Sequence, residues 1–327
     1  MAPVVRTEEI RRLSVAALRI FCVAAVYFAS GRLGLLRQVA IEGAVVTPLW
    51  PPTGVALSAL LLLGLGIWPG IALGTLLIVV TISSFHATDI AIIAGNTLAP
   101  VCSYLMLRRV GFRTELDRLR DGVALVFLGA LAGMLISATV GSGVLLLSGR
   151  LLPNGFWSTW LAWWTGDAMG VLVVTPVLLV LCRARLPLPT GRWAEAAALL
   201  VTVVVVLPLA TRSTVPLLFL VFPLLIWAAL RFQLAGAAPC ALLMSVLTIG
   251  AAVEHTGPFA EHDLIAVMVS LQALNGSAAL TALLLSAIVT EQNNVRLKIE
   301  QACMELAEVV ERLAPGESAN RWPGEGP

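Results

Sequence analysis

Phe156-Trp157-Ser158-Thr159-Trp160-Leu161-Ala162-Trp163-Trp164-Thr165-Gly166-Asp167-Ala168-Met169-Gly170 opens an apolar run that continues through Pro176 to Cys182. Trp157, Trp160, Trp163 and Trp164 crowd its first third. Tryptophan favours the membrane–water interface, where the ring is buried and the indole N–H stays wet. Asp167 lies about eleven residues in, roughly 16 Å deep at 1.5 Å per residue, near the middle of a ~30 Å hydrocarbon layer. A charged carboxylate at that depth costs about 2.5 kcal/mol or more. Trp160, Trp163, Asp167 and Gly170 recur at helical spacing and therefore share a face. Gly166 and Gly170 form a small-xxx-small pair that admits a close neighbour. An acid in this setting is a functional candidate by default. The competing reading is a protonated Asp serving only as a helix–helix hydrogen bond.

The whole chain has the same character. Hydrophobic residues make up 59% of its 327 residues and charged residues 12%, with a mean hydropathy of +0.94. Long apolar runs recur at spanning length, so the fold class is all-α, a polytopic transmembrane helical bundle. Spans are expected at about residues 13–35, 54–67, 68–84, 88–107, 122–148, 156–182, 193–210, 214–231, 234–253 and 263–290, about ten in all. The stretch Gly64 to Gly70 reads as a tight hairpin or a break in a re-entrant unit, and Arg231-Phe232-Gln233 as another tight join. No basic block points to nucleic acid. Cys22, Cys102, Cys182, Cys240 and Cys303 form no close pair and read as small buried hydrophobes. The first twelve residues mix acids and bases, unlike a cleavable signal peptide.

Basic residues set the expected orientation. With the N-terminus inside, inner segments hold sixteen of them, including Arg108, Arg109, Arg113, Arg118, Arg120, Arg183, Arg192 and Arg231. Outer segments hold four: Arg32, Arg37, Arg150 and Arg212. Both termini are therefore expected in the cytoplasm. His86, His255 and His262 then fall outside, with Glu42, Asp89, Glu254, Glu261 and Asp263. Polar residues belong in wet loops and no metal-ligand spacing appears, so no metal and no cofactor are expected.

Asn96, Gln272 and Asn275 lie at depths similar to Asp167, so these four could line a small intramembrane pocket or act as packing glue. Gly66, Gly70 and Gly74, and Gly129 and Gly133, mark close helix contacts. Two prolines after Trp50 suggest an extended approach, with the next helix just beyond. Val295, Ile299, Ala302, Leu306, Val309 and Leu313 form a heptad seam, and Pro315-Gly316 stops that helix. The expected organisation is a cytoplasmic segment 1–12, a membrane sensor-type domain 13–290, an amphipathic helix 291–313 and a flexible tail 314–327.

Several motifs carry a resemblance. Trp50-Pro51-Pro52-Thr53-Gly54, Trp68-Pro69-Gly70 with Gly74, Gly95-Asn96-Thr97 and Trp163-Trp164-Thr165-Gly166-Asp167 with Gly170 and Pro176 come first. Phe222-Pro223 through Arg231-Phe232, Gly257-Pro258-Phe259 and Leu271-Gln272 complete the set. In this order they resemble the membrane-associated sensor domain of type one (MASE-one) family over about residues 15–292. The resemblance implies a sensory input module of the bacterial inner membrane, usually placed before a histidine kinase, a diguanylate cyclase or phosphodiesterase, or a PAS domain. The chain departs from the family pattern at Gln233, where Gly is common, and carries no kinase or Gly-Gly-Asp-Glu-Phe signature after the heptad helix.

The favoured reading is a sensor that detects an outer-face or intramembrane stimulus and passes it through the C-terminal helix. Its partners would be the lipid bilayer, a second copy through residues 295–313, and a histidine kinase or diguanylate cyclase in trans. The alternative is a small-molecule or ion transporter, though no repeat relates the two halves. An enzyme is not expected. Gly166-Asp167 resembles half of an intramembrane aspartyl protease site, but the usual Tyr-Asp partner is missing, since Phe28 comes after Tyr27 and Leu105 after Tyr104.

Overall fold

The computed structural model describes residues 2–36, 38–41, 44–82, 84–183, 192–213, 217–254, 256–259 and 264–313. Arg37, Glu42, Arg185, His255, Glu261, His262, Asp263, Pro315, Gly316 and Arg321 lie outside them. The helices are α1 (Ala2–Leu35), α2 (Pro51–Leu63), α3 (Trp68–Ile82) and α4 (Asp89–Arg109). They continue as α5 (Leu119–Leu147), α6 (Pro153–Arg183), α7 (Trp193–Arg212), α8 (Val221–Val253) and α9 (Leu264–Leu313). Among the described residues, eight stretches are long and apolar enough to cross a membrane. The shorter α2 adds one helical segment and a break in α8 adds another, which gives ten in the described residues.

Glycine contacts establish the directions of the first helices. A Cβ on Gly70 would strike Ile20 and Val23, one on Gly74 would strike Tyr27, and Gly31 meets Ile78. Both chains ascend together, so α1 and α3 are parallel. Gly31 and Gly34 also meet Pro52, and Pro51 and Trp50, so α2 begins at the far end of α1 and returns. The segment between α2 and α3 is thus a hairpin rather than a re-entrant break. Its pivot is Gly64, at φ +87° and ψ 178°, a conformation open to glycine and strained for other residues. Gly66 has open space around it and takes no part in the close contact.

The helix entry at Trp50 differs from expectation. Within Trp50-Pro51-Pro52 only Trp50 is non-helical, and both prolines sit in the first turn of α2. Proline is suited there, because the first N–H groups of a helix have no internal acceptor. The preceding loop also holds two short antiparallel strands, β1 (Val39–Ile41) and β2 (Ala44–Val46), with Val39 opposite Val46. The cysteine reading needs correction too, since Cys22, Cys182 and Cys303 are exposed.

Side chains at the two ends fall into two groups. One end gathers Arg183 with Glu115, Arg231 and Arg192 with Glu195, and Glu291 with the Leu119 backbone. The other gathers Arg150 with Asp89, Gln272 with Pro48, and Gly257 with Thr211. The first group coincides with the arginine-rich segments. The beginning of α1 and the extension of α9 point to that same end.

Arg231-Phe232-Gln233 reverses the chain within α8. A Cβ on Gly236 would lie 3.2 Å from the Ala228 carbonyl oxygen. In a continuous helix eight residues would separate them by about 12 Å. The reversal rests on Gln233, at φ 54° and ψ −143°. That backbone region is nearly exclusive to glycine and costs about 1–3 kcal/mol for other residues. The turn is held from outside. Arg231 forms a two-pronged ion pair with Glu195 of α7. Arg192 bonds the same carboxylate and stacks its guanidinium 5.4 Å from the Phe232 ring centroid.

Gln233→Gly relieves this strain, offset in part by the greater freedom of glycine in the unfolded chain. It is expected to stabilise the protein by about 1 kcal/mol, read as a higher thermal midpoint in detergent. A lower midpoint would show that the Gln233 side chain itself holds the turn.

Candidate functional site

Asp167 is 1% exposed and sits halfway along α6. Its Oδ2 accepts a 2.5 Å hydrogen bond from Ser137 Oγ of α5. Its Oδ1 has no hydrogen-bond partner among the described residues. The Trp163 indole lies beside the carboxyl without completing a hydrogen bond. Trp163 packs flat over Gly141, and Trp160 Nε1 donates to Thr139 Oγ1 at 3.1 Å. Trp160, Trp163 and Asp167 therefore all face α5. Gly170, grouped with them by spacing, faces α2 instead.

Both helices of this pair change pitch near the acid. α5 is π-helical over Leu125–Ala132 and α6 over Gly170–Val174. Such wide turns leave carbonyls without their usual i+4 donors and recur at functional sites. Here side chains take up the slack. Ser103 Oγ donates to the Gly129 carbonyl at 2.8 Å, and Trp164 Nε1 donates to the Leu131 carbonyl at 2.8 Å. In α6 the wide turn ends just before Pro176, whose missing N–H would break a regular ladder there in any case.

The segment Thr47–Gly54 is the second half of the site. Trp50 N–H donates to the Gly166 carbonyl at 3.0 Å. Thr53 Oγ1 shares its proton between the Trp50 carbonyl at 2.8 Å and the Asp167 carbonyl at 3.0 Å. Thr175 Oγ1 donates to the Gly54 carbonyl at 3.3 Å. The contact is backbone on backbone. A Cβ on Gly54 would strike the Gly170 carbonyl, one on Gly170 the Trp50 carbonyl, and one on Gly166 the Thr47 carbonyl. Two motifs more than a hundred residues apart thus form one junction.

The other polar candidates lie near this junction but find separate partners. Gln272 Nε2 donates to the Pro48 carbonyl at 3.0 Å, and Gln272 Oε1 is unpartnered. Asn275 Oδ1 accepts from Thr248 Oγ1 at 3.2 Å. Gly276 meets Met169, so Asn275 is level with Asp167 across the α6–α9 contact. Asn96 is buried beside Gly95, which packs on Val140, and its Oδ1 is unpartnered. Tyr27, buried against Gly74, also carries an unpartnered hydroxyl. The four residues expected to share a polar layer do not form one hydrogen-bond network among the described residues.

The remaining motif positions shape helix starts and turns. Trp68 and Pro69 open α3 with the Trp68 ring half exposed. Gly257, at φ +57°, packs on the Thr211 carbonyl and lets Pro258 and Phe259 turn inward, where Phe259 is buried. Sequence reading gave no site role to Ser137, Thr53, Tyr27 or Glu291. Serine and threonine carry little signal on an apolar helix, although small hydroxyl residues are the usual hydrogen-bond formers between membrane helices.

At the arginine-rich end, Arg183 closes α6 onto the 110–118 loop, donating to Glu115 Oε1 at 2.6 Å and Thr114 Oγ1 at 2.7 Å. The Arg183 hydrogen bond holds the Glu115 carboxyl below the ordinary glutamate range. The pair's contribution is present above that ordinary range and is lost only as pH falls through the lowered value. Both groups are well exposed, so the pair is worth less than about 1 kcal/mol.

The MASE1 family model matches residues 19–293. The chain belongs to the MASE1 family. No curated protein and no solved structure matches it. MASE1 is a family of membrane sensory domains rather than catalytic ones, and this chain is accordingly a multi-pass membrane protein. Its Trp-Pro-Pro-Thr-Gly and Trp-Trp-Thr-Gly-Asp motifs are the two faces of the junction between Thr47–Gly54 and α6.

The junction predicts unequal costs for adding one methyl group. Gly170→Ala drives a Cβ into backbone and is expected to cost about 1–3 kcal/mol or more. Gly143, in α5, has nothing within reach, so Gly143→Ala should gain about 0.5–1 kcal/mol from helix propensity. Thermal unfolding of both variants in the same detergent checks this. Equal midpoints would mean that the backbone contact at Gly170 is not tight.

Proposed function

We propose that this chain is a sensory input module of the bacterial inner membrane with both termini in the cytoplasm. A stimulus at the outer face or within the membrane shifts the packing of α5 and α6 around Asp167. The shift is passed along α9 to a cytoplasmic signalling partner of the histidine kinase or diguanylate cyclase kind. The observation that carries this reading is the half-satisfied carboxyl of Asp167, buried where both helices adjoin π-helical segments on its arginine-rich side, with its backbone carbonyl pinned to the Thr47–Gly54 segment. A buried group with one unmet oxygen is poised between two arrangements that differ in hydrogen bonding. The charge asymmetry of the two ends supports the orientation.

The output end has its own support. α9 runs unbroken from the bundle into the extension 291–313, about 35 Å long at 1.5 Å per residue. Seam residues Val295, Ile299, Leu306 and Val309 are 48–64% exposed. Arg296 with Glu300, and Arg312 with Glu308, pair along the helix surface. An exposed heptad seam is suited to a second copy, and residues 295–313 are the proposed dimer contact.

Asp167→Asn keeps the size of the side chain and an acceptor for Ser137. It is expected to insert and fold with a loss of about 1 kcal/mol or less while altering signalling in a reporter strain. Asp167→Leu is expected to lose more stability, about 1–3 kcal/mol, through misfit against Ser137. Wild-type signalling in both variants would remove Asp167 from the mechanism. A photo-crosslinker at Glu308 in native membranes is expected to capture a second copy and a kinase or cyclase. An inserted protein that captures neither would overturn the output assignment.

A further inference from the structure

The two helices that hold the Ser137–Asp167 pair converge on one loop at the arginine-rich end. α5 carries Ser137 and begins at Leu119, eighteen residues and about 27 Å away. α6 carries Asp167 and ends at Arg183, which is bonded to Glu115 and Thr114. The loop between α4 and α5 is tied to the first turn of α5. Arg113 N–H donates to Asp121 Oδ1 at 3.1 Å, and Arg120 donates to the Val110 carbonyl at 2.9 Å. It also holds strain, since Leu116 is 2% exposed and sits at φ 51°. A non-glycine residue in that region persists only where its surroundings over-determine it.

The same loop touches the root of the output helix. Leu119 N–H donates to Glu291 Oε2 of α9 at 3.0 Å. No side chain of α5 itself caps this terminus. One turn further, Gly122 brings α5 close to Leu283, Leu284 and Ala287 of α9. Glu291 stands where α9 leaves the bundle and the exposed extension begins.

We propose that α5 is a lever between the intramembrane acid and the output helix, and that Glu291 is the positioning residue that couples them by holding the Leu119 end of α5. This inference rests on Asp167 being the switch. Sliding α6 against α5 at Ser137 moves Arg183 relative to Leu119, and the tied, strained loop turns that motion into a displacement at Glu291. Breaking the Glu291 contact leaves both helices and their packing on α9 intact but frees the extension of α9 from the Leu119 end of α5.

Amide hydrogen exchange of the full chain in lipid nanodiscs tests the coupling in two arms. In the first, Glu291→Leu speeds exchange in segments 119–122 and 288–300 by about fivefold or more, and Glu291→Gln, which keeps an acceptor, restores protection. No acceleration in Glu291→Leu overturns the proposal, and so does acceleration that Glu291→Gln fails to restore. Glu291 is solvent-exposed, so neither variant threatens the fold. In the second arm, Asp167→Asn changes exchange in both 113–122 and 288–300. Combined with Glu291→Leu, its effect stops at 113–122. An effect that still reaches 288–300 shows that the signal bypasses Glu291 and also overturns the proposal. Asp167→Asn leaving both segments unchanged sinks Asp167 as the switch, while the first arm still decides the Glu291 contact.

Discussion

The structure depends on one backbone crossing, where α2 begins against the middle of α6. Gly54, Gly166 and Gly170 let carbonyl groups approach to a distance that any side chain would forbid. In a membrane there is no hydrophobic force between helices, because lipid is as apolar as leucine. Close packing and interhelical hydrogen bonds must supply the association instead. This crossing supplies both: Thr53 and Trp50 bond directly to the carbonyls of Asp167 and Gly166. Each bond consumes a carbonyl whose own helical partner is displaced or shared near the adjoining π-helical turn.

That arrangement explains why the acid can sit where it does. A carboxyl at bilayer depth is tolerated only when it faces protein and finds partners. Ser137 provides one partner, and the burial provided by Trp163, Gly141 and the Thr47–Gly54 segment keeps lipid away. The tryptophans do more than mark an interface. Trp160 and Trp164 stack with centroids 5.7 Å apart, and each donates its N–H to α5. They fix the rotation of α6 about its axis and thereby aim Asp167 at Ser137.

Much of this was legible in the sequence. The helical class, the grouping of arginines at one end, the burial of Asp167 and the chain reversal at Arg231-Phe232-Gln233 all stem from hydropathy, charge and turn chemistry. The features that stayed hidden depend on pairing across distance. Helical spacing put Gly170 on the face of Asp167, yet the two point to different neighbours because the helix widens into its π-helical turn at Gly170. The short strands at Val39–Val46 were missed although Val39, Val45 and Val46 favour strand, since a span count treats whatever lies between helices as loop. Glu291 drew no reading from the sequence, because a side chain capping another helix leaves no periodic trace.

Backbone strain is concentrated at the arginine-rich end. The non-glycine residues with positive φ among those described are Leu116 and Gln233. Both sit at the arginine-rich end, in turns held by guanidinium–carboxylate contacts, Arg183 with Glu115 and Arg231 with Glu195. The crossing deep in the bundle is glycine on backbone and admits no intermediate position, because a packed contact is either seated or displaced. A tightly packed crossing deep in the bundle and strained, ion-paired turns at the arginine-rich end divide the labour. The first can hold two discrete arrangements, and the second can yield when the arrangement changes. A sensor needs that division, since a stimulus that deforms everything slightly biases nothing at a distance.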